Sequence, residues 1–385
     1  MSKRQQVVHV STLHRSTDNR IFHKECAILA EQGYEVTFVV NHPHDETIDG
    51  IKIRALPSVE SGFQKLTSSA VHALRIIRQF STEAPLHFHD PELLPIAIIA
   101  KVRGFKVIYD AHEDTPRQVF HLHWIPRWMK PLVAVWSFAL EKVAGMLFNG
   151  IVTANETIYS RFPARKTIIV RNYPRIDQSW TPRDDYMQRP PKIIYVGGLT
   201  EARGLYEMTR AIGIVNQEQP AQLILGGSFH PRLLEHAISQ LPECRYVQYA
   251  GWLSQEEVKA QLKKCRIGLV ILKPERQYLH ASPTKLFEYA AAGLPIVASD
   301  LPPSRAFISE NRCGLIVEPT PKEIALAITF LLDNPREAKE MGLRGREAVV
   351  KKYNWSSEGA ELVRFYSSLL GETSEEQTAF PDSGS

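Results

Sequence analysis

The chain has 385 residues, of which 44% are hydrophobic and 23% are charged, and its formal net charge is +4 at pH 7. This composition is typical of a soluble globular protein, and the length predicts two domains, because a single hydrophobic core stops growing below this size. The mild positive charge is compatible with phosphates or anionic lipid, and we expect no nucleic acid partner.

Four scattered cysteines form no C-x-x-C pair, namely Cys26, Cys244, Cys265 and Cys313. This pattern indicates reduced thiols and neither a disulfide framework nor a zinc site. The first residues, MSKRQQVVHVS, enter a strand-like run directly and lack the apolar segment of a signal peptide. No run reaches the roughly 20 apolar residues that a membrane helix needs. We therefore expect a cytoplasmic protein.

Short apolar strands alternate with helical segments through the first half of the chain. The predicted strands are QQVVHVS, EVTFVVN, APLHFHD, FKVIYDAHED, NGIVTANE and KTIIVRNYP. The predicted helices include NRIFHKECAILAEQGY, which ends at Gly33, and PELLPIAIIAKVRG. The alternation predicts a parallel sheet with crossover helices.

The second half repeats this design, with predicted strands PKIIYVGG, AQLILGGS, RYVQYAGW, RIGLVILK and LPIVASD. A segment rich in proline and charge, residues 172–192, has the composition of a linker. We predict one domain over residues 1–180, completed by a final helix over 355–370, a second over 181–354, and a disordered tail over 371–385. Two doubly wound α/β domains create a cleft, and such sheets bind ligands at the carboxyl ends of their strands.

Paired glycines follow two of the predicted strands in the second domain. Gly197 and Gly198 end IIYVGG, and Gly227 ends LILGG. Glycine here lets a ligand approach the backbone, but it also suits a tight turn, and both interpretations stay open. The loops lack G-x-G-x-x-G, so a dinucleotide fingerprint is absent.

The segment SPTKLFEYAAAGLPIVASD, residues 282–300, predicts a helix followed by a strand. Ser282 suits the N-cap and Pro283 the first turn, whose orphan amides favour an anion. Lys285 adds a positive charge, and Glu288, one turn later, suits the hydroxyls of a ribose. This layout fits a nucleoside diphosphate. An ordinary helix with a surface Lys–Glu pair is the alternative.

The same segment resembles the donor-binding segment of family-4 glycosyltransferases of GT-B fold, the large retaining class that includes exopolysaccharide and lipopolysaccharide glycosyltransferases. Further matches occur in the same chain order: VVHVSTLHRSTDNRIFHKECAILAEQGYEV, HFHDPELLP, YVGGLTEARGL, YAGWLSQEEV and YNWSSEGAELVRFY. The resemblance covers roughly residues 6–370. It implies an α/β protein of GT-B fold, with two Rossmann-like doubly wound domains facing a central cleft.

The resemblance implies roles for the matching residues. Lys285 and Arg203 would pair with the diphosphate, and Glu288 would hold the ribose hydroxyls. His89 would lie at the anomeric side of the sugar, which makes His89, Arg203 and Lys285 the expected catalytic group. Trp252 and Leu253 would flank the base. The remaining donor contacts are expected from Gly197, Gly198, Gly227, His280, Ser282, Pro283, Thr284 and Leu286.

Two departures from the family pattern concern the donor site. The family has a glutamate eight residues before the position of Glu288, where this chain has His280, so the sugar stays open. An arginine of the family is replaced by Gly198, which leaves more of the diphosphate charge to Arg203.

The N-terminal segment lacks the glycine loop of the family and offers polar residues instead. The strand end YDAHEDTP adds more, although a capped loop would explain them equally well. The expected sugar or acceptor contacts are His14, Asp18, Arg20, His112 and Glu113.

The expected chemistry is departure of a nucleoside diphosphate, expected to be UDP, with its charge stabilised by the protein. No D-x-D triplet occurs in the chain, so we expect neither metal nor cofactor. Two histidine pairs, His87 with His89 and His121 with His123, are weak metal candidates, and His87 is better explained as structural. Retention of configuration is inherited from the resemblance, and no nucleophile is identified.

Residues 121–143 mix tryptophans with basic residues, and five further basic residues follow between 161 and 175. This pattern suits an anionic membrane surface, and a core helix with a Trp-rich loop is the alternative. We expect hexosyl transfer from a nucleotide sugar, UDP-linked, to a lipid-linked or glycan acceptor in surface polysaccharide synthesis, with a peripheral position on the inner membrane face left open. A nucleotide-sugar epimerase of the same fold and a non-catalytic sugar-binding protein are the competing hypotheses.

Overall fold

A computed structural model describes residues 4–57, 63–112, 114–121, 125–182, 185–275, 278–279 and 282–371. The chain divides into two compact units, Met1–Asn172 with Trp355–Ser385, and Tyr173–Asn354. Residues 173–180, which the sequence assigns to the first domain, pack with the second unit, because Tyr173 and Trp180 are buried in its core. The predicted site residues Glu113 and His280 and the predicted tail beyond Gly371 lie outside the described residues.

The described part of the first unit forms an eight-stranded sheet in the order β3-β4-β2-β1-β5-β6-β7-β8. Its strands are β1 Gln6–Arg15, β2 Glu35–Asn41, β3 Glu46–Ile48, β4 Ile51–Leu56, β5 Leu86–Phe88, β6 Val107–Ala111, β7 Gly150–Thr153 and β8 Thr167–Ile169. Its helices are α1 Ala27–Glu31, preceded by a wider helical turn at Ile21–Cys26, α2 Phe63–Ile77, α3 Leu94–Val102, α4 Thr115–Gln118, α5 Lys130–Leu147, α6 Glu156–Tyr159 and, from the chain's end, α14 Trp355–Leu370.

The strands of this sheet pair in parallel, except that β3 and β4 form an antiparallel hairpin. The hairpin turns at Asp49 and Gly50, which both have positive φ, as a tight two-residue turn requires. The sequence analysis did not predict this hairpin. Val8 and Val10 of β1 pack in one hydrophobic cluster, and Val7 packs in another cluster that includes residues of α14. Both faces of β1 are therefore buried, as expected for a central parallel strand.

The described part of the second unit forms a six-stranded parallel sheet in the order β11-β10-β9-β12-β13-β14. Its strands are β9 Lys192–Val196, β10 Gln222–Gly226, β11 Val247–Gly251, β12 Ile267–Val270, β13 Ile296–Ser299 and β14 Gly314–Val317. Its helices are α7 Leu205–Val215, α8 Leu233–Ser239, α9 Gln255–Leu262, α10 Thr284–Ala291, α11 Pro302–Asn311, α12 Pro321–Asp333 and α13 Pro335–Lys351.

Each sheet reverses its strand order once between neighbouring central strands. The reversal lies between β1 and β5 in the first unit and between β9 and β12 in the second. Doubly wound parallel sheets of this kind bind ligands outside the carboxyl ends of the strands at the reversal point. The predicted α/β class with two doubly wound sheets is confirmed, and the reversal points are where the candidate sites lie.

Candidate functional site

The candidate donor site lies at the carboxyl end of β9 in the second unit. Gly197 follows the strand directly, and a Cβ atom placed on it would lie 2.7 Å from Lys285 Nζ. A Cβ atom on Gly198 would lie 3.0 Å from Arg203 Nη1. The two glycines thus let both cations reach the same backbone turn. Lys285 and Arg203, separated by 82 positions in the sequence, meet at this turn, and their predicted pairing with a diphosphate stays a prediction.

The ammonium group of Lys285 is buried, and it makes no hydrogen bond with any residue that the structure describes. It lies 3.9 Å from the ring centroid of Tyr195, a cation–π distance. Burial, and then the charge of Arg203, hold the pKa of Lys285 well below its usual value, against the opposing charge of Glu288. A buried ammonium without a hydrogen-bond acceptor is costly, so this position favours an anionic ligand.

Arg203 is held by tyrosine hydroxyls. It forms side-chain hydrogen bonds with Tyr195 and Tyr278. The Tyr195 hydroxyl in turn donates to the backbone oxygen of Gly198 over 3.1 Å. Burial raises the pKa of Tyr195 to about 12, so its hydroxyl stays protonated and can donate this bond. The guanidinium is therefore positioned before any ligand arrives.

Helix α10 begins one residue later than the sequence analysis predicted. Pro283 is the N-cap, no side chain caps the helix, and Ser282 is exposed. Pro283 has no amide hydrogen, and the amide of Leu286 already donates to the oxygen of Pro283 over 3.0 Å. The orphan donors at this helix start are consequently the amides of Thr284 and Lys285. The Leu286 side chain is fully buried in the core and is structural.

The neighbouring strand end supplies packing and an exposed ring. A Cβ atom on Gly227 would lie 1.9 Å from the backbone oxygen of Gly197, so close packing of β9 and β10 explains this glycine. Leu253 packs against the core and lies under Gly226. Trp252 is 65% exposed at the end of β11. An exposed ring beside a strand end is compatible with the predicted contact to a base.

The second candidate site lies at the reversal point of the first unit, between β1 and β5. Asp90 follows β5, and its Oδ2 accepts bonds from the Ser11 hydroxyl over 2.8 Å and from the Leu13 amide over 3.2 Å. His14 Nδ1 lies 2.9 Å from Asp90 Oδ1, and the His14 side chain is 23% exposed. Hydrogen bonds from His14 and from the Thr12 amide hold the pKa of Asp90 below its usual value despite burial. The Asp90 carboxylate thus holds the carboxyl-terminal part of β1.

Asp110, at the end of β6, is the centre of a buried ion-pair network. Arg20 donates to both of its carboxylate oxygens, over 3.0 and 2.9 Å. His89 Nδ1 and His112 Nδ1 each lie 3.1 Å from Asp110 Oδ2. Although burial opposes it, the Arg20 charge holds the pKa of Asp110 well below its usual value. Arg20 itself is buried, so it fixes Asp110 instead of contacting a ligand as predicted.

The structure corrects the role expected of His89. Its side chain is fully buried, and its second ring nitrogen, Nε2, lies 2.8 Å from His9 Nδ1. Both ring nitrogens are therefore engaged by other side chains of the first unit. His112, two residues after Asp110, retains 12% exposure at the edge of the sheet. Asp18 also has a structural role, because its Oδ1 accepts hydrogen bonds from the backbone amides of Arg20 and Ile21.

Three groups of side chains within the described residues bring metal-ligating atoms within 4.8 Å of one another. They are His9, Glu25, His87 and His89; His89, Asp110 and His112; and His42, His44 and Glu46. The first two groups share the permanent cation Arg20, which pairs with both Asp110 and Glu25. His9 Nδ1 also bonds to His89 Nε2, and His89 Nδ1 bonds to Asp110, so this geometry is that of a hydrogen-bond network.

Several residues of this network were not singled out from the sequence. His9 of β1 is the register partner of His87 of β5, and both rings lie on the face covered by α14. The sequence does show one histidine in each of two apolar strands, which could have suggested a buried histidine pair. Only the strand order, however, makes β1 and β5 neighbours and brings the two rings together. Glu25 and Tyr366 carry no such signal, because they lie on helices far apart in sequence.

The comparisons with known proteins agree with this description. Residues 190–334 match the family model described as Glycosyl transferases group 1. The chain is similar to the MMP alpha-(1->4)-mannosyltransferase of Mycolicibacterium hassiacum, with 22% identity over 390 aligned positions that cover 89% of this chain and 92% of that protein. A GDP-mannose-dependent alpha-(1-6)-phosphatidylinositol monomannoside mannosyltransferase of Mycolicibacterium smegmatis is 24% identical over 182 positions, 46% of this chain and 48% of that protein.

Among solved structures, the sucrose-phosphate synthase of Thermosynechococcus elongatus superposes with a TM-score of 0.75 at 16% identity, over 96% of this chain and all of that one. This likeness confirms the predicted GT-B fold. The match of residues 190–334 to a glycosyltransferase family model, within the second unit, supports a glycosyltransferase of this fold. Membership of family 4 and retention of configuration stay predictions.

Proposed function

We propose that the protein transfers a hexosyl residue from a nucleoside diphosphate sugar, bound by the second unit, to a hydroxyl group of a lipid-linked or glycan acceptor. The buried ammonium of Lys285 supports this most directly. It has no hydrogen-bond acceptor among the described residues, and it lies beside Arg203 and the start of α10. Two cations and two orphan amides around one glycine turn match the charge of a diphosphate.

In this proposal the reaction breaks the bond between the sugar C1 and the diphosphate oxygen. Lys285, Arg203 and the amides of Thr284 and Lys285 stabilise the charge that develops on the leaving group. The acceptor hydroxyl oxygen forms the new bond to C1 on the face that the diphosphate leaves, and its proton passes to the departing phosphate oxygen. The configuration at C1 is retained. No metal is required, because the positive charge comes from the protein.

We propose GDP-mannose as the donor, in place of the UDP-sugar expected from the sequence. The support is that two relatives in Mycolicibacterium are mannosyltransferases and that one of these two is GDP-mannose-dependent. The sequence analysis left the sugar open, because His280 replaces a glutamate of the family pattern.

The donor assignment is tested by isothermal titration of the full chain with GDP-mannose, UDP-glucose and ADP-glucose, each with the wild type and with Lys285→Met. We expect GDP-mannose to bind the wild type most tightly and the variant roughly 10- to 150-fold more weakly, the loss of one charge-assisted hydrogen bond. Preference for UDP-glucose would overturn only the assignment of GDP-mannose as the donor. Equal affinity of the wild type and Lys285→Met for the donor would overturn the placement of the donor site at Lys285.

Product analysis separates the reaction from its alternatives. Incubation with GDP-mannose and a polyprenyl-linked glycan should give a product with the anomeric configuration of the donor, with or without EDTA. An epimerised nucleotide sugar in the absence of acceptor would indicate the epimerase, and binding without turnover would indicate a sugar-binding protein.

We further propose that helix α5 docks on an anionic lipid surface, where a lipid-linked acceptor would be found. Its outward face is an apolar stripe of Leu132, Val135, Trp136 and Met146, which are 63–68% exposed. Glu141, the one acidic residue in the sequence of α5, is buried and paired with Arg161. The exposed charge of this helix is therefore positive, as an anionic headgroup layer requires.

Among the described residues, no helix is long and apolar enough to cross a bilayer. Of the tryptophans in the predicted membrane stretch, Trp128 is 73% exposed, and Trp124 lies outside the described residues. Flotation with phosphatidylglycerol vesicles, compared with phosphatidylcholine vesicles, tests the docking surface. We expect the wild type to float with the former, Trp136→Glu to fail, and Leu326→Glu, at an exposed leucine of α12, to behave as wild type. Equal flotation of all three would refute it.

A further inference from the structure

Three side chains in the connection from β2 to β3 carry metal-ligating atoms that the proposed reaction does not use. They belong to His42, His44 and Glu46, and their ligating atoms lie within 4.8 Å of one another. His42 Nε2 contacts Glu46 Oε1, and His44 Nε2 lies 4.0 Å from Glu46 Oε2. The two rings thus approach different oxygens of one carboxylate.

The backbone of this connection is held in place by β4. The His42 amide donates to the backbone oxygen of Leu56 over 3.3 Å. Asp45 Oδ1 accepts a hydrogen bond from the Ala55 amide over 2.7 Å. Glu46 begins β3, which pairs with β4. The three side chains therefore start from an ordered backbone, and a metal ion would not have to order the connection before binding.

Ser16, which directly follows β1, orients the ring of His42. Its Oγ lies 3.0 Å from His42 Nδ1. A histidine that binds a metal is neutral, and a proton on Nδ1 can be donated to the Ser16 oxygen while the Nε2 lone pair faces Glu46. Metal-binding histidines almost always donate their other ring N–H to such an acceptor. Ser16 therefore has the position of a partner behind a histidine ligand.

The charges around this group favour a divalent cation. Among the residues that the structure describes, Glu46 pairs with no lysine or arginine. The neighbouring Asp45 carboxylate pairs with Arg54 at 2.8 Å. One carboxylate and two imidazoles therefore remain for a ligand. The buried histidine groups around Asp110 differ, because Arg20 pairs with their carboxylates.

The donor atoms select the kind of metal. Imidazole nitrogen suits Zn²⁺, Ni²⁺ and Cu²⁺, whereas Mg²⁺ and Ca²⁺ prefer oxygen ligands. Two histidines and one glutamate form a set of three protein ligands that Zn²⁺ accepts, with water in the fourth position. His42 and Glu46 are half-buried and His44 is exposed, so a site built on them is open to solvent on the side of His44.

We propose that His42, His44 and Glu46 bind one Zn²⁺ ion, with Ser16 as the positioning residue for His42. The site lies in the first unit and takes no part in the proposed transfer reaction. The ion joins the end of β2 to the start of β3 and so stabilises the β3–β4 hairpin. The signal in the sequence was the pattern H-x-H-x-E over residues 42–46, which the sequence analysis did not single out.

Isothermal titration of the metal-free full chain with zinc chloride tests the site. We expect the wild type to bind one Zn²⁺ ion per chain. Glu46→Gln keeps the shape of the side chain and should weaken binding by at least about 100-fold, and Ser16→Ala should weaken it roughly 10-fold. The matched control is His236→Ala, at an exposed histidine of α8, which should bind as the wild type does. Circular dichroism in EDTA checks that each variant is folded.

The absence of Zn²⁺ binding by the wild type, or equal affinity of the wild type and Glu46→Gln, would overturn the site. Equal affinity of the wild type and Ser16→Ala would overturn the positioning role alone. Absorption of the Co²⁺-loaded protein reports the ligand type, and a thiolate charge-transfer band would place the ion at a cysteine and overturn the assignment.

Hydrogen exchange measures the effect on the hairpin. Because the ion binds only the folded connection, Zn²⁺ should slow the exchange of amides in β3 and β4 and leave those of α12 unchanged. Unchanged exchange in β3 and β4 at saturating Zn²⁺ would overturn the stabilising role. No nucleotide sugar is present in these experiments, so their outcome is independent of the proposed transfer reaction.

Discussion

Binding of a nucleoside diphosphate should be accompanied by the uptake of a proton by Lys285. In the free protein, burial and the Arg203 charge hold the pKa of this lysine well below its usual value. A diphosphate beside the ammonium group raises that pKa, because an opposite charge favours the charged form. The complex therefore binds more protons than the free protein, and the affinity must fall as the pH rises between the two pKa values.

The size of this effect follows from the number of protons involved. Uptake of one full proton changes the binding constant roughly tenfold per pH unit, and the change vanishes above and below the interval between the two pKa values. Since the unperturbed pKa of lysine is about 10.4 and burial lowers it in the free protein, the interval begins on the acidic side of that value. A site built on an ordinary surface lysine would show no such dependence near neutral pH.

Isothermal titration with GDP between about pH 7 and pH 10 measures the effect, and this range avoids the phosphate ionisation near pH 6. Two buffers of different ionisation enthalpy report the protons taken up. Lys285→Arg is the matched control, because arginine stays charged throughout and should bind GDP with little pH dependence. A flat wild-type affinity with equal enthalpies in both buffers would refute the buried, depressed lysine.

Three further predictions concern stability. Gly227→Ala should lower the free energy of unfolding in urea several times more than Gly251→Ala. A Cβ atom at Gly227 would lie 1.9 Å from a backbone oxygen, whereas a Cβ atom at Gly251 meets nothing within 4 Å. At Gly251 only the strain of about 1–2 kcal/mol from positive φ remains. Asp110→Ala, which leaves a buried guanidinium without its main partner, should cost about 3–5 kcal/mol, whereas Asp18→Ala should cost about 1 kcal/mol. Burial raises the pKa of Glu141 to about 7. The folded protein therefore holds a proton that the unfolded chain has already lost, and its stability falls as the pH rises from about 4.5 to about 7. Glu141→Gln should remove up to about 3 kcal/mol of this loss, measured as the change in unfolding free energy between pH 5 and pH 8.

The sequence was most informative where function depends on local pattern. The alternation of apolar strands and helices predicted both doubly wound sheets, because crossover connections enforce parallel strands. The helix that begins near Pro283, with Lys285 in its first turn, was also readable from the sequence. These features depend on residues within a few turns of one another.

Burial and long-range contact were not readable in the same way. The sequence analysis chose His89 for the sugar, but strand order places it between His9 and Asp110 with both ring nitrogens engaged. His112 follows the same kind of strand end and remains partly exposed. Both histidines directly follow a buried parallel strand, so only the neighbouring strands and helices separate the two positions.

The sequence by itself determined the fold class and the doubly wound arrangement of both sheets, in which the strand order reverses once. It also determined that a helix begins near Pro283 with a lysine in its first turn. Tertiary structure alone decided which charges are buried and how they are paired. The Lys285 ammonium reaches the turn at Gly197, and the Asp110 carboxylate pairs with Arg20 and His89, through contacts between residues far apart in the chain. Desolvation and hydrogen-bond direction arise from residues far apart in sequence, and they exist only once the strands and α14 have packed together.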